Sequence, residues 1–209
     1  YLTGLKLGGK RILILLDASA SMLDETIVNI IRLRNMSNEH KRVADKWQRA
    51  MATTEWLISN LPDSAEFQLY LFNTESRAAL ASSKGSWLSA SQTADVAATV
   101  KGLRQTVPQG GTSLYHAFET AKLLKPKPDN ILLITDGLPT QGRSKPSKAT
   151  VSSEQRLQHF SRAVKVIPAG IPVNTILLPM EGDAYAAAAY WQLAVDTKGS
   201  FLTPARDWP

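Results

Sequence analysis

The sequence predicts an α/β sandwich built on a mostly parallel central sheet, and three observations support this class. Short apolar segments with the character of buried strands recur at residues 10–16, 130–135 and 173–178. Segments with helical periodicity lie between these strands, as in proteins with a parallel sheet. The 209 residues contain no internal repeat and no low-complexity linker, so we expect a single domain over residues 1–209.

The strands are predicted from apolar runs that end at polar or turn-forming residues. Residues 10–16 lie between Gly8-Gly9 and Asp17, and their unbroken apolar run is typical of a strand buried on both faces, as in parallel sheets. The other two segments named above repeat this pattern, and a further strand is predicted at residues 66–72. Residues 77–81 are predicted to be a short antiparallel or edge strand, and residues 200–203 a last edge strand.

The helices are predicted where apolar residues fall three or four positions apart. Residues 43–61 and 114–124 show this spacing along their whole length. Residues 92–107 and 152–166 are also predicted to be helical, each after a polar or Ser-rich start. The Ala-rich residues 184–195 are long enough for a buried helix but shorter than the about 18 residues that cross a bilayer.

The absence of cysteine excludes several classes of site together. It rules out structural zinc ribbons, iron–sulfur clusters, thiol nucleophiles and disulfide scaffolds. The P-loop, Gly-x-Gly-x-x-Gly, Gly-x-Ser-x-Gly and His-Glu-x-x-His patterns are absent as well. Because the chain starts at Tyr1 rather than Met, we expect a mature fragment or a piece of a longer chain, and an upstream anchor is possible. We favour the cell envelope or the extracellular space over the cytoplasm.

The chain is basic, with a formal net charge of +6 and a pI of about 9.6. Much of the excess lies in residues 141–170, where six cations stand against Glu154 alone. The six are Arg143, Lys145, Lys148, Arg156, Arg162 and Lys165. A solvated helix and loop would explain this segment. The alternative is a surface that binds a polyanion, although only one aromatic residue and no nucleic-acid motif accompany it.

The most informative feature of the sequence is a set of polar residues beside the apolar strands. Asp17, Ser19 and Ser21 follow the first strand at alternate positions, and Asp136 follows the strand at residues 130–135. Thr112 comes after two glycines, just ahead of a helix. Loops beyond the carboxyl ends of parallel strands converge on one crevice, so these side chains can meet.

Two carboxylates and three hydroxyls form a set of hard oxygen ligands, which favours Mg²⁺, Mn²⁺ or Ca²⁺ over zinc or copper. Each piece also has a simpler explanation: Ser, Thr and Asp cap helices, and Asp136-Gly137 suits an ordinary turn. Their joint occurrence, each at the end of a strand or the start of a helix, favours a metal site.

These motifs, Asp-x-Ser-x-Ser, Gly-Thr and Thr-Asp-Gly in that order, resemble those of the von Willebrand factor type A family, over residues 10–203. The resemblance implies a doubly wound, Rossmann-like sandwich with helices on both faces and one antiparallel edge strand. It also implies a metal-ion-dependent adhesion site, in which some ligands act through water and a partner's acidic side chain is the sixth ligand. The implied ligands are Asp17, Ser19, Ser21, Thr112 and Asp136.

The sequence departs from the family pattern at two places. Ala20 stands where the family usually has Gly, and it would be strained if that position required a positive φ. Residues 22–42 are inserted before the helix at 43–61, and their helical spacing, broken at residues 35–38, predicts an extra helix. The insertion either shapes access to the metal or adds packing against the body of the domain.

We therefore expect a metal-dependent protein-interaction module with no catalytic residue and no small-molecule cofactor. Its partner would supply Asp or Glu to the ion, and nucleic acid is disfavoured as a partner. Residues expected to contact the partner are Gly111, Ser113, Gly137, Arg143 and Lys145. One alternative is a metal-dependent phosphoryl-transfer hydrolase that uses Asp17 as nucleophile, although the common pattern has a second Asp where this chain has Ser19. The other is a polyanion-binding domain that uses residues 141–170.

Overall fold

The computed structural model describes residues 4–5, 8–146, 150–205 and 208. Lys148, one of the six cations of the basic segment, lies outside the described residues. The sheet is built from β1 (Arg11–Asp17), β2 (Glu66–Phe72), β3 (Ser76–Ala78), β4 (Leu88–Ser89), β5 (Asn130–Thr135), β6 (Val173–Leu177) and β7 (Phe201–Leu202). Its strand order is β3-β2-β1-β5-β6-β7, and β4 pairs with β2 beside β3.

The sheet is mostly parallel, which confirms the predicted fold class. β2, β1, β5, β6 and β7 run parallel, and β3 and β4 both pair antiparallel with β2. The antiparallel edge therefore consists of two short strands rather than one. β4 was not predicted because its two residues are too few to show an alternating pattern.

Seven α-helices accompany these strands in the part of the chain that the structure describes. They are α1 (Ile27–Leu33), α2 (Asn38–Arg42), α3 (Asp45–Ser59), α4 (Thr93–Arg104), α5 (Leu114–Leu123), α6 (Ser153–Val164) and α7 (Ala186–Thr197). α1 and α2 occupy the insertion, separated at residues 34–37. No helix within the described ranges is long and apolar enough to cross a membrane.

The core has two halves, one on each face of the sheet. Ile12, Ile14 and Leu16 of β1 pack with apolar residues of α3 and α4, whereas Leu13 and Leu15 pack with those of α5, α6 and α7. Successive side chains of a strand point to opposite faces, so the unbroken apolar run of β1 supplies both halves. Helices on both faces make the sandwich doubly wound.

The strand register positions the candidate site. Leu16 of β1 pairs with Ile134 of β5, so Asp17 and Thr135 end neighbouring strands at the same edge of the sheet. Beyond Asp17 the chain makes a 3₁₀ turn at Ala20–Leu23. Lys198 is the one non-glycine residue with positive φ among those described, so Ala20 adopts its turn without that strain.

Candidate metal centre

Asp17 ends β1 and is fully buried, with both carboxylate oxygens engaged. Its Oδ1 accepts a hydrogen bond from the Ser19 backbone N–H at 2.9 Å, and its Oδ2 accepts one from the Thr135 hydroxyl at 2.8 Å. The first bond is a local turn of the kind that Asp favours, because its short side chain reaches the backbone two residues on. The second bond ties the carboxyl ends of β1 and β5 together.

Ser19 and Ser21 continue this connection from the first loop to Asp136. The two hydroxyl oxygens lie 3.0 Å apart, and the Ser21 hydroxyl donates to Asp136 Oδ1 at 2.9 Å. Ser19 and Asp136 are buried, whereas Ser21 is partly exposed. Four of the five predicted ligands therefore belong to one hydrogen-bonded cluster at the edge of the sheet.

Thr112, the fifth predicted ligand, lies in a loop that is hydrogen-bonded both to the loop after β1 and to the loop after β5. Its backbone N–H donates to the Thr140 hydroxyl at 2.9 Å, and its carbonyl accepts the backbone N–H of Thr140 and of Gln141. In addition, the Ala20 backbone N–H donates to the Gly110 carbonyl at 3.0 Å. The bracing role of Thr140 was not predicted, because a single Thr four residues after Asp136 carries no recognisable pattern.

Sequence reasoning also missed Lys46, which is almost fully buried beneath this cluster. Its Nζ lies 2.6 Å from Asp136 Oδ2 and donates to the carbonyls of Ser21 and Asp24 at 3.1 and 3.0 Å. The only available signal was a lysine next to Trp47 on the buried face of a helix. A buried lysine requires a partner, and the partner here is a predicted metal ligand.

The cluster carries more negative than positive charge. Burial, followed by the negative charge of Asp136, raises the pKa of Asp17 to about 7, although the hydrogen bonds from Ser19 and Thr135 oppose this rise. Lys46 is the one cation among the described residues that contacts either carboxylate, and it contacts Asp136 alone. Oxygen donors with uncompensated negative charge fit a hard divalent cation, which would relieve the repulsion.

The donor set is poor in the side chains that bind softer metals. Within the described ranges, no group of three or more His, Cys, Asp or Glu side chains is arranged to hold a metal. Hydroxyls supply three of the five candidate donors, so the two carboxylates would just balance a divalent ion, and the Lys46 ammonium beside Asp136 would leave the site with a net positive charge.

Comparison with solved structures identifies the fold. A von Willebrand factor type A protein from Catenulispora acidiphila superposes with a TM-score of 0.64 at 17% identity, covering 95% of this chain and 39% of that one. An aerotolerance-related membrane protein from Bacteroides fragilis superposes with a TM-score of 0.58 at 18% identity, covering 94% of this chain and 92% of that one. This chain has the von Willebrand factor type A fold. Proximal thread matrix protein 1 from the mussel byssus superposes with a TM-score of 0.53 at 16% identity, covering 93% of this chain and 43% of that one. That protein was solved with a zinc-occupied metal-ion-dependent adhesion site.

The fold is supported by structure rather than by sequence similarity. No protein-family model and no curated protein sequence matches the chain. The chain spans about two fifths of the Catenulispora protein and nearly the whole Bacteroides chain. The von Willebrand factor type A fold thus accounts for the architecture, and the candidate metal site rests on the residues described above rather than on these comparisons.

Two glycines beside the candidate site, Gly111 and Gly137, lie where the backbone closely approaches side chains of other loops. A Cβ atom at Gly111 would lie 2.6 Å from Thr140 Oγ1, and one at Gly137 would lie 2.6 Å from Asp183 Oδ2. The Asp183 carboxylate accepts the Leu138 backbone N–H at 2.6 Å and pairs with Arg156 at 2.7 Å. Both glycines are therefore needed for close packing of the loops around the candidate site.

The remaining residues predicted to contact a partner differ in exposure. Ser113 is fully buried, and its hydroxyl donates to the Gly142 carbonyl at 2.7 Å, so its side chain does not face solvent in this structure. Arg143 and Lys145 are exposed on the loop after β5. Of the basic segment, Arg156 reaches the loop after Asp136, because its guanidinium also donates to the Leu138 carbonyl at 2.6 Å.

Proposed function

We propose that this protein is a metal-dependent protein-interaction module that binds an acidic side chain of a partner through a divalent cation. The observation that carries the proposal is the buried cluster of Asp17, Ser19, Ser21 and Asp136, to which the Thr112 loop is bonded. Three segments far apart in sequence meet there with oxygen donors and an excess of negative charge. These are the requirements of a site for Mg²⁺, Mn²⁺ or Ca²⁺.

The chemistry of the donors favours recognition of a carboxylate. Two ionised carboxylates only balance the charge of a divalent ion, and the Lys46 ammonium beside Asp136 adds a further positive charge, so the occupied site would be net positive. Such an ion attracts a further anionic oxygen at an open coordination position. An Asp or Glu side chain supplies that oxygen and completes the shell.

We propose binding rather than catalysis as the role of the site. Ser19 stands at the position where the common phosphoryl-transfer pattern has a second Asp. Phosphatase turnover that requires Mg²⁺ and is lost in Asp17→Asn would contradict this assignment.

We also propose that the insertion forms part of the partner surface. α1 buries Ile30 and packs Leu33 against the core, but it leaves Ile27, Val28 and Ile31 exposed, so packing against the body of the domain does not account for these three residues. Lys46 holds the start of this segment against the cluster through the Asp24 carbonyl. A partner surface beside the ion also agrees with a location in the cell envelope or outside the cell, which we favour because one structural neighbour is described as a membrane protein.

Titration of Mg²⁺, Mn²⁺ and Zn²⁺ into the metal-free protein tests the metal site. At an ion concentration of about 100 times Kd, we expect stabilisation of about 2.7 kcal/mol in thermal or urea unfolding. Thr112→Ala should reduce this response, whereas Thr93→Ala, an exposed threonine on α4, should leave it unchanged. No metal-dependent change at millimolar ion and neutral pH would refute the site.

The partner is then sought by pull-down with wild-type protein and Asp17→Asn, in Mg²⁺ and in chelator. We expect capture that requires both the ion and Asp17. Capture that persists in chelator and falls steeply with salt would instead assign the interaction to the basic segment at residues 141–170.

A further inference from the structure

A polar cavity lies between the loop after β5 and helix α6. Its volume is about 360 Å³, within the range of about 300–1,000 Å³ that is usual for small-molecule sites. The polar side chains that line it include Arg143, Lys145, Arg162, His159, Gln155 and Tyr115. Its lining, drawn from the described residues, contains no Asp or Glu.

The three permanent cations of this cavity lack an acidic partner. Arg143, Lys145 and Arg162 form no ion pair with any carboxylate of the described residues. In contrast, Arg156 on the same helix α6 pairs with Asp183. Burial, followed by the positive charge of Arg162, lowers the pKa of His159, so this histidine is mainly neutral at neutral pH and offers no charge that balances the cations. The cavity therefore has a positive potential that nothing within it balances.

The wall of the cavity is fixed by internal contacts. The Gly142 carbonyl accepts the Ser113 hydroxyl at 2.7 Å, and the Arg143 carbonyl lies 3.1 Å from His116 Nε2. A Cβ atom at Gly142 would lie 3.1 Å from His159 Nδ1, so the glycine lets this loop pack on the histidine ring. The backbone that carries Arg143 is thus held in place before any ligand arrives, which lowers the entropy cost of binding.

We infer that this cavity binds a compact dianion of the phosphate class. Two guanidinium groups can each present a fork of N–H donors to phosphate oxygens, and Lys145 adds a third charge. Three positive charges are more than a single carboxylate would balance. Tyr115 is the one aromatic residue in the lining, so the stacking platform typical of single-stranded nucleic-acid sites is missing from the residues described.

The anion site does not depend on the proposed metal site. It presents nitrogen donors and positive charge, whereas the metal cluster presents oxygen donors and negative charge. The two sites can therefore be tested separately, with chelator present throughout the anion experiment.

Calorimetric titration with inorganic phosphate, at constant ionic strength and with chelator, tests the inference. We expect saturable binding to one site, weakened about tenfold or more by Arg143→Gln and by Arg162→Gln, because each removes a charged hydrogen-bonding group. Arg32→Gln, an exposed arginine on α1, is the matched control for net charge and should bind like wild type. All three arginines are exposed, so the unfolding temperatures of the three variants should agree with that of the wild-type protein.

Three outcomes would overturn the inference. One is the absence of saturable phosphate binding in the millimolar range. Another is equal weakening in Arg32→Gln, which would indicate general charge attraction. The third is acetate binding as tight as phosphate, which would show that the cavity does not select a dianion.

Discussion

Replacing Lys46 by methionine tests how the candidate metal site is held together without its ion. Lys46 Nζ contacts Asp136 at 2.6 Å and two backbone carbonyls at 3.0 and 3.1 Å, and its side chain is only 1% exposed. Breaking a buried ion pair by removing one partner costs about 3–5 kcal/mol, since the other charge is left buried and uncompensated. We expect a loss of that size in Lys46→Met, which is a large part of the about 5–15 kcal/mol that stabilises a typical domain.

Urea unfolding in chelator and in millimolar Mg²⁺ measures this loss. The loss should be smaller in Mg²⁺, because the ion supplies positive charge to the same carboxylates and should bind the variant more tightly. Lys101→Met, at an exposed position on α4, should change stability little and controls for the lost charge. The double variant Lys46→Met with Asp136→Asn removes both charges and should recover part of the loss, even where the single variant is too unstable to analyse.

The proposed role of Lys46 is refuted if Lys46→Met loses less than about 1 kcal/mol of stability in chelator, the value of a surface ion pair. It is also refuted if the double variant is no more stable than Lys46→Met. Either result would show that Asp136 does not depend on this ammonium group for its charge balance.

Three further substitutions address the loops around the site. Gly137→Ala should cost about 1–3 kcal/mol in urea unfolding, because its Cβ would overlap Asp183 Oδ2, whereas Gly8→Ala, with no atom within 4 Å of its Cβ, should be neutral. Arg156→Gln removes the charged partner of Asp183 and should cost about 1.5–3 kcal/mol, so a neutral effect would contradict that brace. Thr140→Val leaves the backbone N–H of Thr112 without its acceptor. Calorimetry should therefore show weaker Mg²⁺ binding, although no candidate ligand is lost. Unchanged affinity would argue against the bracing role of Thr140.

The fold could be predicted from local sequence because the decisive signals are local. The unbroken apolar runs of β1 and β5 indicate burial on both faces, and the three- and four-residue spacing within α3 and α5 marks the side of each helix that packs on the sheet. β4 escaped prediction because two residues hold too little pattern. The family resemblance also depended on short motifs beside the strands, which can be recognised from their order along the chain.

Sequence motifs predicted only part of the candidate site. They identified its oxygen donors but not the side chains that hold those donors in place. Lys46 and Asp136 are separated by 90 positions, and Thr140 and Thr112 by 28. Such contacts depend on how helix α3 and the loops pack at the edge of the sheet, and no periodicity in the sequence encodes that packing.

The sequence alone therefore determined the α/β class, the mostly parallel sheet and a set of hard oxygen donors at one edge of it. Only the tertiary structure decided that a buried ammonium group shares Asp136, that Arg156 and Asp183 hold the neighbouring loop, and that Ser113 is buried. The physical reason is that burial of apolar runs is a local property of the chain. The charge balance of a buried site depends instead on which distant side chains the packed fold brings within hydrogen-bonding distance.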